Sequence, residues 1–217
     1  MKIAIIGATG NIGGAILAEA LAHTDNQITA ISRHASSLPP HPRLTGVPCD
    51  IYDIDALAKV LQGHDAVIHA FHPGNQDPQA YEKSLAGHKA IVAATKKAGV
   101  PRLLGVGGAA SLQTKEGVEY IDSSMWNKEF DPYKPAILGT RALYYVLKDE
   151  KELDWVFLAP SAWLRPGSRT GKFRYGKNEI LFDQNGESRI SIEDYAMAMI
   201  AELQHPQHHR ERFTVGY

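Results

Sequence analysis

Gly7-Ala8-Thr9-Gly10-Asn11-Ile12-Gly13 is the stretch that predicts the fold of this chain. It follows a short apolar run at residues 2–6, typical of a buried strand, and precedes a helical pattern at residues 15–21. Glycines between a strand and a helix let the backbone approach a ligand, and the helix N-terminus offers free N–H groups. The stretch therefore predicts a site for the diphosphate of a dinucleotide. The residues assigned to that site are Gly7, Thr9, Gly10, Asn11, Ile12 and Gly13.

Outward from this stretch, strand and helix patterns alternate along the chain. Strand-like apolar runs occupy residues 27–32, 44–49, 66–71, 102–107 and 155–159, with helical patterns between them. Such runs indicate a parallel sheet covered on both faces. Right-handed crossovers then predict a three-layer, doubly wound α/β fold with strand order 3-2-1-4-5-6. This context favours the dinucleotide site over an ordinary strand-to-helix turn, which can show the same glycine spacing.

Two segments lack a clear pattern, residues 112–134 and residues 161–190. Long irregular segments within a compact fold are often functional. The chain is expected to form one domain over residues 1–217, in which these two segments build the substrate region. Residues 192–203 read as a helix, and residues 213–215 are expected to form an edge strand.

Composition narrows the classes of partner. The net charge is −1 and no basic stripe is present, so nucleic acid is not an expected partner. No stretch approaches the length that spans a bilayer, and the single cysteine, Cys49, fits a reducing compartment. We therefore expect a cytoplasmic protein with no membrane partner. His205, His208 and His209 cluster in a proline-containing turn without other ligands, so no metal site is predicted.

The residues after the second strand bear on cofactor choice, because the ligand of such a sheet lies across the carboxyl ends of its strands. An acid about twenty residues past the glycines would bind the ribose hydroxyl of NAD. Ser32-Arg33-His34 stands there instead. A guanidinium cannot accept a hydrogen bond but can pair with a 2′-phosphate. Arg33 therefore predicts NADP(H) over NAD(H), the alternative being a solvated arginine on a loop.

Other strand ends supply further candidates. Asp50 could accept a hydrogen bond from the adenine amino group while Ile51 packs on the ring, or Asp50 could help to cap the following helix. His72 could orient a substrate or donate a proton near neutral pH, or be a plain surface histidine. The remaining residues assigned to the cofactor cleft are Ala70, Phe71 and Pro160.

Several stretches together resemble a known family. They are GATGNIGG at residues 7–14, Ser32-Arg33, VGGAAS at 106–111, LAPSAWLRPGSRTGKFRYG at 158–176 and SRISIEDYAMAMIAELQHP at 188–206. The chain resembles the atypical short-chain dehydrogenase/reductases over essentially its whole length. Within them it is similar to the NAD(P)H-dependent flavin reductases, often labelled NAD-dependent epimerase/dehydratase-like proteins. The resemblance implies a Rossmann fold with a small C-terminal substrate region, and hydride transfer from a reduced nicotinamide.

The catalytic residues of that superfamily carry over only in part. Its usual site has a serine after the fifth strand and a Tyr-x-x-x-Lys pair on the next helix. Ser111 matches the serine, whereas Ile137 and Arg141 stand in the places of the tyrosine and lysine. A literal match at residues 144–148 lies late on the helix, away from the expected nicotinamide position. The catalytic candidates are Ser111, His72, Tyr133 as another proton donor, and Arg141.

The missing Tyr/Lys pair favours one kind of chemistry. Reduction of a carbonyl needs a general acid within reach of the oxygen, whereas a flavin or quinone can take its proton from solvent once two flat rings are held together. An NADPH-dependent reductase of a flavin, quinone or similar planar acceptor is therefore expected, with an acceptor pocket of His72, Ser111, Trp126, Tyr133 and Trp163. The alternatives are an NADPH-sensing regulatory protein and a nucleotide-sugar epimerase or dehydratase. The oligomeric state is left open.

Overall fold

The computed structural model describes residues 1–217. Its strands are β1 (Lys2–Ile6), β2 (Gln27–Ile31), β3 (Leu44–Val47), β4 (Ala66–His69), β5 (Arg102–Val106), β6 (Asp154–Pro160), β7 (Trp163–Arg165), β8 (Arg174–Gly176), β9 (Arg189–Ser191) and β10 (Glu211–Gly216). Its helices are α1 (Asn11–His23), α2 (Ile54–Leu61), α3 (Ala80–Lys97), α4 (Lys134–Lys148) and α5 (Ile192–Gln204). No helix combines the length and the apolar character needed to cross a membrane.

Eight strands form one sheet in the order β3-β2-β1-β4-β5-β6-β10-β8. The first six have the predicted order, and every pairing except β10 with β8 is parallel. Side chains alternate between two cores: Ile3 and Ile5 face α1 and α5, whereas Ala4 and Ile6 face α2, α3 and α4. The predicted three-layer doubly wound fold, the Rossmann arrangement, is therefore confirmed.

The edge of the sheet differs from the prediction. Residues 213–215 belong to β10, which lies between β6 and β8 rather than at the edge. Phe213, Thr214 and Val215 are fully buried, and Phe213 and Val215 pack into the core that α1 and α5 cover. The edge strand is the three-residue β8, whose exposed Arg174 and Tyr175 carry no strand-like apolar pattern.

The ends of α2 follow local rules that the sequence displays. The Asp53 carboxylate accepts a hydrogen bond from the Ala56 N–H at 3.0 Å and so caps the N-terminus. Gly63, just past the C-terminus, has φ of 73°, a conformation that favours glycine. This α2 unit follows β3 and leads into β4, so it fixes the spacing of two strands whose carboxyl ends border the candidate site.

The irregular segments pack on each other beyond the carboxyl end of β6. Residues 112–134 contain short 3₁₀ turns at Tyr120–Asp122 and Lys128–Tyr133. β7 and β9 pair in parallel as a separate two-stranded sheet. An aromatic row joins the two segments, since the rings of Trp126 and Phe130 lie 5.4 Å apart and those of Phe130 and Trp163 lie 4.4 Å apart.

Candidate functional site

The glycine loop after β1 closes tightly on itself and on the end of β4. Gly7 has φ of 82°, and a Cβ there would lie 2.5 Å from the Ala70 carbonyl oxygen. A Cβ on Gly13 would lie 2.1 Å from the Gly7 carbonyl oxygen. The Gly10 N–H donates to that same oxygen at 3.0 Å. Side chains are therefore excluded from the inside of the turn, and only backbone lies there.

The start of α1 has unused hydrogen-bond donors. Gly10 is its N-cap and offers no side chain, and the first turn contains no acid. The backbone N–H groups of Asn11, Ile12 and Gly13 have no acceptor within the protein. Such groups, together with the helix dipole, favour an anion. The loop therefore fits the diphosphate of a dinucleotide.

The end of β2 carries the residues predicted to choose the cofactor. Thr9 and Ser32 are joined by a hydrogen bond of 3.0 Å between their hydroxyl oxygens, which ties the glycine loop to this strand end. Arg33 is exposed and forms no ion pair. No acid follows β2 before residue 50, so no carboxylate stands where a free ribose hydroxyl would bind.

Asp50 and Ile51 lie beyond β3. The Asp50 carboxylate accepts from the Tyr52 N–H at 3.0 Å and forms a turn, while the cap of α2 is supplied by Asp53. Asp50 remains exposed at the surface. Ile51 is only 7% exposed and packs into the core on the α2 side, so it presents little surface to an adenine ring.

The residues that follow β4 line the cleft with the backbone of Ala70 and the side chain of Phe71. The Ala70 N–H donates to the Ile6 carbonyl at 2.8 Å, and its own carbonyl lies against Gly7. Phe71 is half-buried and meets Tyr52 edge to face at 6.0 Å. Pro160 is the last residue of β6, where it pairs with β10 and is buried.

His72 follows Phe71 and lies near the start of α4. Its Nδ1 accepts from the Gly74 N–H at 3.0 Å. Although the residue keeps exposed surface, desolvation of the ring lowers its pKa below the ordinary value. The lowered pKa favours the neutral form of the His72 imidazole.

Two buried histidines behind His72 were not found from the sequence. His69 Nε2 lies 2.9 Å from His88 Nδ1, and His88 Nε2 lies 2.9 Å from the Gly139 carbonyl. The carbonyl can only accept, so His88 donates to it and His69 donates to His88. Burial lowers the pKa of His69 well below its usual range and that of His88 to about 4. Both rings are neutral and connect β4 to α4.

The residues that the family resemblance implies to be catalytic are buried or paired within the protein. Ser111 is fully buried, and its hydroxyl makes only a 3.5 Å contact with the Gly108 carbonyl. Arg141 is paired with Glu119 and Asp122. Lys148 lies in the last turn of α4, at the end remote from the cleft, as the sequence indicated.

Of the three aromatic candidates, Tyr133, Trp126 and Trp163, one lines the cavity described below. Tyr133, at the start of α4, is 42% exposed. Trp126 has its indole N–H bound to the Asp131 carboxylate at 2.8 Å. A cavity of about 840 Å³ lies between the two irregular segments, and Trp163 is the only predicted acceptor residue among those that line it. We call this space the Trp163 cavity. The lining residues that were not singled out from the sequence include Tyr120, Met125, Asn127, Arg165, Phe182, Arg189 and Tyr217.

Two of the stretches that carry the family resemblance, residues 158–176 and 188–206, contact each other through Asp194. The buried Asp194 carboxylate accepts from the Thr170 and Gly171 N–H groups at 2.8 and 2.9 Å and from the Thr170 and Tyr217 hydroxyls at 2.6 and 2.8 Å. Burial alone would raise the pKa of Asp194, but these donors outweigh it and hold the pKa below its ordinary value. Asp194 therefore clamps the loop at residues 168–171 beside the Trp163 cavity.

Two further motif residues tie this region to the sheet. Arg169 binds Glu19 of α1 through two hydrogen bonds of 2.8 Å. The buried Tyr195 hydroxyl donates to the Leu158 carbonyl at 2.7 Å and accepts from the Gly107 N–H at 3.3 Å. Tyr195 thereby fastens the carboxyl ends of β5 and β6, which border the cleft.

Comparison with known proteins gives full-length relatives. Residues 7–206 match the family of NAD(P)H-binding proteins. YwnB of Bacillus subtilis strain 168, an uncharacterized protein, is 36% identical over 99% of this chain and 98% of its own length. A solved structure from Bacteroides thetaiotaomicron, provisionally described as an epimerase, superposes with a TM-score of 0.90 at 42% identity, covering 100% of this chain and 96% of that one. One from Streptococcus pneumoniae TIGR4, provisionally described as an NADH-flavin reductase, has a TM-score of 0.83 at 28% identity, covering 100% and 99%.

Proposed function

The chain belongs to the NAD(P)H-binding family, and we propose that it is an NADPH-dependent reductase that transfers hydride to a flavin, quinone or similar planar acceptor. The observation that carries the dinucleotide site is the glycine loop, where side chains are excluded and three N–H groups at the start of α1 are unused. The relative from Streptococcus pneumoniae, provisionally described as an NADH-flavin reductase, supports an oxidoreductase.

The preference for NADPH rests on Arg33. Its guanidinium follows β2 without an acidic partner, and Ser32 beside it is tied to the glycine loop through Thr9. A bidentate pair with a 2′-phosphate is the contact that this side chain can make. An acid that would favour the free ribose hydroxyl is missing from this strand end.

Reduced nicotinamide supplies the hydride in such a reaction. Residues 7–13 would hold the diphosphate, and the ends of β4, β5 and β6 would border the nicotinamide. The Trp163 cavity begins two residues past the end of β6, so an acceptor bound there would lie on the same side of the sheet. Such an acceptor would take up one hydride from the cofactor and one proton from water. The protein acts chiefly by proximity and orientation, which can supply about 7–11 kcal/mol of the barrier.

Substitution of Arg33 tests the cofactor assignment. We expect Arg33→Ala to weaken NADPH binding about tenfold or more, since charge-assisted hydrogen bonds are lost, and to leave NADH binding unchanged. Calorimetric titration with both cofactors measures this. Arg210→Ala removes another exposed arginine, before β10 at the far end of the sheet, and should change neither affinity. Unchanged NADPH affinity in Arg33→Ala would refute the preference.

Two other functions have specific support. The burial of Ser111 and the ion pairs of Arg141 are expected of an NADPH-sensing regulatory protein with little turnover. The relative from Bacteroides thetaiotaomicron, provisionally described as an epimerase, favours nucleotide-sugar chemistry. NADPH oxidation with FMN, FAD or a small quinone separates these functions. Tight NADPH binding without turnover of any acceptor would favour the sensor, and binding of a UDP-sugar would favour the epimerase.

A further inference from the structure

The guanidinium of Arg165 lies over an indole ring at the wall of the Trp163 cavity. Its central carbon is 3.9 Å from the centre of the Trp163 ring. That indole also contacts Phe130, at 4.4 Å between ring centres. A cation–π contact uses no hydrogen-bond acceptor, so it leaves the N–H donors of the guanidinium available.

The donors of Arg165 have no acceptor in the protein. No carboxylate lies within 4.0 Å of it, and no carbonyl or hydroxyl accepts from it. The neighbouring arginines all have acceptors: Glu19 for Arg169, the Tyr217 carbonyl for Arg174 and Glu187 for Arg189. Arg165 is exposed and lines the cavity. The N–H groups of its guanidinium therefore have no partner in the protein. Such groups can form paired hydrogen bonds with carboxylate or phosphate oxygens.

The acidic residues near the cavity form no ion pair with Arg165. Glu187 is paired with Arg189 at 3.0 Å, and Glu193, outside the lining, accepts from the Gly167 N–H at 2.8 Å. Glu129 lines the cavity with its carboxylate more than 4.0 Å from Arg165. The Arg165 guanidinium therefore has no ion-pair partner, in a lining that carries two arginines and two glutamates.

We infer that the Trp163 cavity binds the acceptor of the proposed reductase and that Arg165 selects an acceptor with an anionic group, such as a phosphate, on a planar ring system. This inference rests on the proposed function. The cavity size, about 840 Å³, falls within the range of small-molecule sites. The aromatic walls contact the ring system, and the guanidinium edge binds the anionic oxygens.

The test compares FMN with riboflavin, which differ only in the phosphate. Binding of each is measured by calorimetry, with and without NADP⁺, for the wild type, Arg165→Gln, Arg165→Lys and the control Arg210→Gln. We expect the wild type and the control to bind FMN about tenfold or more tightly than riboflavin. Arg165→Gln should remove this difference while riboflavin affinity stays within about twofold. Arg165→Lys keeps the charge without the planar fork and should retain part of the difference.

Two results would overturn the inference. One is equal affinity of the wild type for FMN and riboflavin, a comparison that needs no variant. The other is an Arg165→Gln protein, folded by circular dichroism, that keeps the FMN preference or loses both flavins equally. NADPH oxidation is measured on the same samples. Failure to oxidise NADPH with any flavin or quinone would refute the reductase function and leave the phosphate preference to be judged from binding alone.

Discussion

The glycine loop and the walls of the Trp163 cavity are built in opposite ways. The loop at residues 7–13 is shaped by backbone contacts, such as that of Gly13 with the Gly7 carbonyl. The cavity walls are held by side chains far apart in the chain, and Arg169 is 150 residues from its partner Glu19. The dinucleotide end of the cleft is therefore specified by neighbouring residues, and the proposed acceptor end by contacts between residues far apart in the chain.

The largest effect is expected in the loop. A Cβ on Gly13 would lie 2.1 Å from a backbone oxygen, which cannot move without distorting the turn, whereas one on Gly14 would lie 3.6 Å from the Ala8 oxygen, an ordinary contact. We expect Gly13→Ala to cost about 3 kcal/mol of stability and to weaken NADPH binding at least about a hundredfold. Gly14→Ala is the matched control and should be neutral or slightly stabilising. Thermal unfolding and calorimetry measure both; equal behaviour of the two variants would show that the loop is not closed as described.

The next effect is expected in the long-range clamp. Asp194→Asn replaces acceptor oxygens by an amide that cannot satisfy all four donors, and should cost about 2–3 kcal/mol of unfolding free energy. Glu193→Gln is the control, because an amide oxygen can still accept the single Gly167 N–H. NADPH binding should survive in both variants while flavin binding falls in Asp194→Asn. Loss of NADPH binding in a folded Asp194→Asn protein would contradict the separation of the two regions.

Because the pKa of Asp194 is lowered in the fold, its contribution to the free energy of unfolding depends on pH. Its contribution to stability is full above about pH 4, the ordinary range for an aspartate, and is lost as the pH falls through the lower pKa of the folded state. Urea unfolding below pH 4 should therefore show a larger acid-dependent loss of stability in the wild type than in the asparagine variant.

A smaller effect is expected at the histidine pair between β4 and α4. His69 and His88 are neutral in the fold, with lowered pKa values, and the pKa of His88 is about 4. In unfolded chains histidine binds protons below about pH 6.5. Stability should therefore be full above that pH and fall as the pH drops below about 6.5, because the unfolded chain then binds protons that the folded pair does not. Urea unfolding as a function of pH measures this slope.

Variants separate the buried pair from other histidines. His88→Gln should flatten the pH slope of stability between about pH 6.5 and 4, because one titrating group is removed. His72 also faces His88, and its smaller contribution remains in that variant. His205→Gln changes an exposed histidine and should keep the wild-type slope. A slope that is unchanged in His88→Gln would show that His88 is not buried in neutral form.

The smallest effect is expected at Ser111. Its hydroxyl is buried and only weakly bonded, at 3.5 Å from the Gly108 carbonyl, so it is not presented to the cleft. Ser111→Ala should change the turnover of NADPH with a flavin or quinone by less than about threefold, whereas loss of a proton-transferring group typically costs about a hundredfold or more. Steady-state kinetics decide between these outcomes, and a hundredfold loss would give Ser111 the role that the family resemblance implies.

The central sheet could be predicted because its signals are local. The strand, glycine turn and helix at the start of the chain, the Asp53 cap and Gly63 each act within a few residues. The six-strand order follows from the handedness of crossovers. The two added strands, β8 and β10, were missed or misplaced because their pairing partners lie far away in the chain.

The candidate site likewise has features that could be predicted from neighbouring residues and features that could not. The unused N–H groups of α1 could be expected from the sequence, since the first N–H groups of any helix lack partners inside it. The His69–His88 pair, the Asp194 clamp and the stacking of Arg165 on Trp163 could not, because each joins residues of different elements. The stretch around Asp194 could be recognised in the sequence. Whether Asp194 takes part in catalysis or holds a loop in place depends on which groups its carboxylate binds.

By itself, then, the sequence determined a doubly wound α/β domain with a diphosphate loop at the start of its first helix, because backbone conformation and apolar periodicity are properties of neighbouring residues. Which side chains bind partners within the fold, and which remain without one, became clear from the three-dimensional contacts alone. A carboxylate or guanidinium is committed by its partner across the fold, as Asp194 is by Thr170 and Tyr217, and Arg165 is left free because no such partner meets it.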